Sequence, residues 1–269
     1  MFEEGTAVAA DGTKLFYTRH GRGPAHIVLT HSLGMTGEFW RPVLDRLRDD
    51  EITVLTWDCR GHGRSDKPAG PYSVEQFADD LNAVLDAAGW PDAVVAGASM
   101  GGCVTLAFAI RHSKRVTALG LFDTTATYGA TAPADWAERA SKAASEGLAS
   151  LTSFQQTRWF SDDFRAQHPD VVEACVEVFR ANDVGAFEDT CRMLGAVDLT
   201  SGLSTIHVPT TILVGEEDYA TPPAMAEVMH TGIPGSTLEV ISGARHLTPI
   251  ECPEVVASRL LALAQGDVA

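Results

Sequence analysis

The sequence predicts an α/β protein: a mostly parallel, doubly wound sheet of eight strands, flanked by helices and interrupted by a helical insertion after the sixth strand. Three observations predict it. Short β-branched apolar runs alternate along the chain with amphipathic helical patterns. The runs are apolar nearly throughout, as strands covered on both faces must be. One of them leads directly into Gly97-Ala98-Ser99-Met100-Gly101-Gly102 and then into a helical pattern, a strand–turn–helix sequence.

Taken in order, Thr6 to Ala9 and Lys14 to Arg19 flank Ala10-Asp11-Gly12, a hairpin signal. His26 to Thr30, Ile52 to Trp57, Ala93 to Ala96, Val116 to Phe122 and Thr211 to Val214 read as buried strands, each too short for a helix. Leu238 to Ile241 supplies the last strand. A helix starts after Ser73, with Gln76 placed as a capping-box partner. Val74, Phe77, Ala78, Leu81, Val84 and Leu85 line one face of it, and Gly89 ends it. Met100 to His112 and Pro253 to Leu263 give two more helices. From Ala126 to Val197 the strand–helix rhythm breaks, and Ala134 to Ser145, Leu148 to Phe160, Val171 to Asn182 and Gly185 to Leu194 read as helices. The expected division is therefore a core of residues 1–125 and 198–269 with an insertion of 126–197. The insertion is either a lid over a site or a structural elaboration.

Composition bounds the function. The 269 residues suffice for one or two domains with a sizeable core. Asp and Glu number 36 against 20 Lys and Arg, a formal charge of −16, so a phosphate-tracking surface for nucleic acid is not expected. An anionic substrate would need a local positive group. No apolar run approaches the length of a membrane span. Met1-Phe2-Glu3-Glu4-Gly5 lacks the apolar core of a signal peptide. The five cysteines (Cys59, Cys103, Cys175, Cys191, Cys252) are scattered and form no CxxC pair. That argues against a disulfide framework or zinc knuckle and suits a reducing cytoplasm.

Ser99 occupies the sharp turn between strand and helix, where a hydroxyl is presented near a helix N-terminus. A serine is a weak nucleophile until a base takes its proton. His246, in Gly243-Ala244-Arg245-His246-Leu247 just past the last strand, is placed to reach the same sheet edge. The base needs an orienting carboxylate. Asp218, after the strand Thr211 to Val214, is the first candidate, and Asp123, after Phe122, is a competitor. The expected oxyanion donors are the amides of Met100 and of Leu33, the latter in His31-Ser32-Leu33-Gly34-Met35. His31 is expected to order that loop, and Cys103 to pack in the core.

These blocks, together with Asp58-Cys59-Arg60-Gly61-His62-Gly63-Arg64-Ser65-Asp66, resemble the α/β-hydrolase superfamily over nearly the whole chain. In such proteins the Asp58 to Asp66 block supports the site, so Arg60 and His62 are expected to be structural. Within the superfamily the chain most resembles 3-oxoadipate enol-lactonases. The matching stretches are Ser32 to Thr36 with Trp40, Gly70 to Ser73, Ala134 to Arg139, Arg158-Trp159-Phe160 and Asn182 to Asp198. His31 is a departure, standing where many of those lactonases carry asparagine. The resemblance implies a pocket-facing Trp136, and Arg139 or Arg158 meeting a substrate carboxylate. It also implies acyl transfer to Ser99, with no metal or organic cofactor required and a small ester or lactone as the partner.

Related reactions use the same residues: short-chain ester hydrolysis, carbon–carbon bond hydrolysis and cofactor-free perhydrolysis. Dehalogenases and epoxide hydrolases of this fold need a carboxylate nucleophile, which Ser99 is not. A ligand receptor that keeps the triad is the alternative outside catalysis.

Overall fold

A computed structural model describes residues 2–47 and 51–267. Eight strands form one sheet: β1 (Phe2–Val8), β2 (Lys14–Gly21), β3 (Ala25–Thr30), β4 (Ile52–Trp57), β5 (Ala93–Ala98), β6 (Val116–Phe122), β7 (Thr210–Gly215) and β8 (Thr237–Ile241). Their order is β1-β2-β4-β3-β5-β6-β7-β8. The β1–β2 and β2–β4 pairs are antiparallel, and all later pairs are parallel. Every residue of β4, β5 and β7 is buried, as the apolar runs predict. Because β5 to β8 run parallel, their C-terminal ends share one edge of the sheet. Ser99, Asp123, Asp218 and His246 all follow those ends.

The first strand begins earlier than its pattern predicts and stops before Ala9, with Phe2 paired to His20 and Val8 to Lys14. An edge strand needs only its ladder, and Phe2, Glu3 and Glu4 are exposed, so alternation does not mark them.

The core helices are α1 (Val74–Ala87), α2 (Met100–Arg111), α8 (Pro223–Gly232) and α9 (Pro253–Gln265). The Ser73 hydroxyl accepts from Gln76 N at 3.2 Å, but the Gln76 side chain turns to Asp11 Oδ2 at 3.3 Å, so only half of the expected capping box forms. Gly89 ends the segment at φ 72°.

The insertion between β6 and β7 holds α3 (Ala132–Glu146), α4 (Thr152–Trp159), α5 (Asp162–Gln167), α6 (Pro169–Arg180) and α7 (Val184–Gly195). An antiparallel bridge between Thr127 and Asp198 closes its neck. The sequence reading expects a single helix over Leu148 to Phe160. The chain instead makes a 3₁₀ turn at Leu148–Leu151, then α4, and Ser161 caps the separate α5. The six polar-rich residues of α5 are too few to display a period.

Arg60 is fully enclosed. Its Nε and Nη2 donate to the two oxygens of Asp80 on α1 at 2.6 Å each, and Nη1 donates to Asp11 Oδ2 at 2.8 Å. Burial alone would lower the guanidinium pKa; the hydrogen bonds it donates to Asp80 and Asp11 outweigh it and hold Arg60 above its ordinary value. The pair fastens the loop after β4 to α1 and to the β1–β2 turn. Asp80→Ala leaves a buried charge with one half-exposed partner, and is expected to destabilise the fold by about 3 kcal/mol in a denaturant titration. An unchanged midpoint would remove Arg60 from the structural frame.

Candidate active site

Ser99 sits at φ 54° and ψ −118°, a conformation that costs a non-glycine residue roughly 1–3 kcal/mol. Its neighbours enforce it. A Cβ on Gly97 would lie 2.2 Å from Gly101 O, and one on Gly101 would lie 2.2 Å from Thr30 O. Glycine at 97 lets β5 approach α2 so closely, and glycine at 101 lets α2 approach the end of β3. The Ser99 amide donates to Phe122 O at 2.9 Å, and Thr124 Oγ1 donates to the Ser99 carbonyl at 2.7 Å. The turn is held from both sides.

His246 Nε2 lies 2.9 Å from Ser99 Oγ, and His246 Nδ1 lies 2.8 Å from Asp218 Oδ2. All three side chains are buried. Asp218 also accepts from Ala220 N at 2.7 Å, Thr221 N at 3.0 Å and Thr221 Oγ1 at 2.9 Å. Burial alone would lift its pKa. The His246 charge and these hydrogen bonds outweigh burial and hold the carboxyl below the usual range.

Asp123 takes a different part. Its Oδ1 accepts from Gly215 N at 3.2 Å, and its Oδ2 accepts from Thr248 N and Oγ1 at 2.9 and 2.6 Å. It joins the ends of β6 and β7 to the segment after His246, and the structure gives it no hydrogen bond to the imidazole. Burial, then the nearby Asp218 charge, push its carboxyl well above the ordinary range. The two acids are thus driven apart in ionisation, with Asp218 the one kept charged.

The Leu33 and Met100 amides lie on the loop after β3 and at the first residue of α2. Neither donates a hydrogen bond to another group of the described residues. His31 orders the Leu33 loop: Nδ1 donates to Ser32 O at 2.8 Å, and Nε2 accepts from Cys59 N at 3.0 Å. Burial pushes the His31 pKa down to about 4, which keeps the ring neutral in that role. Asn182 of the insertion donates to Gly34 O at 2.8 Å and steadies the same loop.

Trp136, Arg139 and Arg158 come together on the insertion side. With Tyr128, Ala132, Asp135, Ala220 and Met225 they line a cleft of about 190 Å³. Arg139 stacks over the Trp136 ring at 5.2 Å, and Tyr128 meets that ring edge-on at 5.2 Å. Neither arginine has a carboxylate partner among the described residues, and Arg139 Nε is buried without any. Burial, reinforced by the Arg158 charge, lowers Arg139 to about 10, and burial lowers Arg158 as well. Both stay charged at neutral pH, incompletely solvated and unpaired.

Ser99 and His246 do not line that cleft. Two residues connect it to them. Ala220 donates to Asp218, and the Tyr128 hydroxyl lies 3.9 Å from the thiol of Cys103, one turn beyond Ser99. Cys103 itself is buried, its thiol raised by burial and turned to Thr125 O.

Tyr128 and Thr221 are absent from the sequence reading. Thr221 directly follows Ala220, whose amide, two residues after Asp218, closes a turn on the acid side chain. Tyr128 lies on the connector into the insertion, where no periodicity marks it. Among the described residues no group of three or more His, Cys, Asp or Glu side chains is arranged to hold a metal ion. No helix among them is long and apolar enough to cross a membrane.

The arrangement is suited to moving a proton from Ser99 to His246. Comparisons with known proteins agree with hydrolysis. A family model described as the alpha/beta hydrolase fold matches residues 25–253. A 3-oxoadipate enol-lactonase of Acinetobacter baylyi is 29% identical over 256 residues, 94% of each chain. The crystal structure of the enol-lactonase from Burkholderia xenovorans LB400 superposes with a TM-score of 0.92 at 32% identity, covering 97% of this chain and all of that one. A thermophilic esterase from Thermogutta terrifontis gives 0.91 at 27% identity, covering 99% of this chain and 100% of the other. The chain belongs to the alpha/beta hydrolase family and is a hydrolase with the enol-lactonases among its relatives.

Proposed function

We propose that this hydrolase opens a small lactone bearing a carboxylate, of the enol-lactone kind, through an acyl-enzyme on Ser99. The observation that carries the substrate class is the pair Arg139 and Arg158, half-buried at one cleft without carboxylate partners among the described residues. A chain of formal charge −16 repels anions at long range. Two half-buried guanidiniums offset that locally, and an anion that pairs with them replaces the part of their hydration that the fold removes.

In the first step His246 takes the Ser99 proton as Oγ attacks the lactone carbonyl. The Leu33 and Met100 amides hold the oxyanion. The ring C–O bond breaks, and the leaving oxygen takes the proton back from His246. Asp218 offsets the imidazolium charge between the two transfers. Water, deprotonated by His246, then attacks the acyl carbon; the bond from that carbon to Oγ breaks, and Ser99 Oγ takes the proton back from His246. The opened chain stays tethered as an ester until that step. The insertion, taken as residues 126–197 over a core of 1–125 and 198–269, serves as a lid whose Trp136 and arginines hold it. All five cysteines are unpaired, in keeping with a reducing cytoplasm.

Steady-state hydrolysis of 3-oxoadipate enol-lactone beside a p-nitrophenyl acyl ester tests this reading. Arg158→Gln is expected to lower kcat/KM for the lactone by roughly 10- to 100-fold, the worth of one charge-assisted hydrogen bond, and to spare the neutral ester. A wild type that prefers the neutral ester moves the function to short-chain ester hydrolysis.

A further inference from the structure

The segment around His246 is fastened to the insertion as well as to the core. His246 N and Leu247 N both donate to Trp159 O, at 3.1 and 3.0 Å. Arg245 Nη1 donates to Thr157 O at 2.9 Å and Phe160 O at 3.0 Å, and lies 3.2 Å from Asp162 Oδ1. Its Nη2 donates to Glu217 Oε2 at 2.8 Å, beside Asp218. Glu251 Oε2 accepts from Arg245 N at 3.0 Å, while its other oxygen accepts from the amide and hydroxyl of Ser161.

The carbonyls of Thr157, Trp159 and Phe160 belong to the C-terminal turn of α4, where helices leave acceptors unfilled and favour a cation. Arg245 therefore touches the α4–α5 corner and the acid loop at once, and is the covalent neighbour of His246. That corner is itself packed into the insertion: the buried Trp159 lies edge-on against Phe179 at 5.5 Å.

We propose that Arg245 is a positioning residue, locking the α4–α5 corner and the Asp218 loop onto the His246 segment so that the imidazole stays in register with Ser99. It touches no reacting atom and acts through His246. The proposal rests on the reading of His246 as the base, and applies to any ester or lactone. A misplacement of about 1 Å at a reacting group costs on the order of 10²-fold in rate.

The experiment titrates active Ser99 with a p-nitrophenyl phosphonate and measures p-nitrophenyl acetate turnover per titrated serine. Arg245→Gln is expected to lower kcat per titrated serine by about 10²-fold with little change in KM. Arg245→Lys should recover part of it, since one ammonium can meet the α4 carbonyls but not Glu217 as well. Ser161→Ala, which removes the hydroxyl bond to Glu251 and the cap of α5 at the same corner, should give a smaller loss of the same kind. A purely structural Arg245 would reduce the number of titratable serines and leave kcat per serine unchanged, which overturns the proposal. Where Arg245→Gln yields no folded protein, Ser161→Ala decides: reduced kcat per serine supports the proposal, wild-type kcat overturns it. A wild type that neither labels nor turns over ester removes the reading of His246 as base, and the proposal with it.

Discussion

Ser99→Ala is expected to lower kcat for ester or lactone hydrolysis by about 10⁶-fold, the scale on which removing a triad nucleophile acts. The basis is geometric. Oγ lies 2.9 Å from His246 Nε2, and the amides of Leu33 and of Met100, the residue after Ser99, have no partner in the described chain. Alanine keeps the Cβ and the 54° φ, so the turn should persist and the protein should remain folded. The loss then belongs to the missing oxygen. Residual hydrolysis above water would come from the amides and the cleft alone. Ser99→Gly should be equally inactive but melt higher than Ser99→Ala, because glycine adopts positive φ without strain. The measurement is steady-state turnover with thermal unfolding on the same preparations. Turnover within tenfold of wild type in Ser99→Ala would sink the acyl-enzyme reading.

Much of this arrangement is legible in the sequence because topology supplies what spacing cannot. Residues 99, 218 and 246 are far apart in the chain, but each follows a strand whose apolar run is plain, and parallel strands bring their C-terminal ends to one edge. The Gly97 and Gly101 requirement is likewise written locally, since only a missing Cβ permits the approach. The rest depends on tertiary contacts without sequence signatures. Arg245 satisfies backbone carbonyls, which every residue possesses. The split of Leu148 to Phe160 into a 3₁₀ turn and α4 follows how the insertion packs. Asp123 and Asp218 look alike as acids ending strands, and only their hydrogen-bond partners separate them.

That separation gives the other large effect. Asp218→Asn is expected to lower kcat by about 10⁴-fold, and Asp123→Asn by less than about tenfold. Asp218 Oδ2 accepts the Nδ1 proton of His246, which leaves Nε2 unprotonated and able to take the Ser99 proton. An asparagine amide turned toward Nδ1 would select the other tautomer, with Nε2 already protonated and useless as a base. It would also leave the imidazolium without its counter-charge. Asp123 has no such contact. Its Oδ1 and Oδ2 fasten Gly215 and Thr248, and burial already disfavours its ionised form, so loss of charge there changes little. An asparagine cannot accept from both backbone amides, so Asp123→Asn should instead cost about 1–3 kcal/mol of stability. Turnover per folded molecule and a denaturant midpoint, measured on both variants, distinguish the roles. Should Asp123→Asn abolish turnover while Asp218→Asn keeps it, the orienting acid is the one at the end of β6, and the hydrogen bond between Asp218 and His246 is not the one that sets the tautomer.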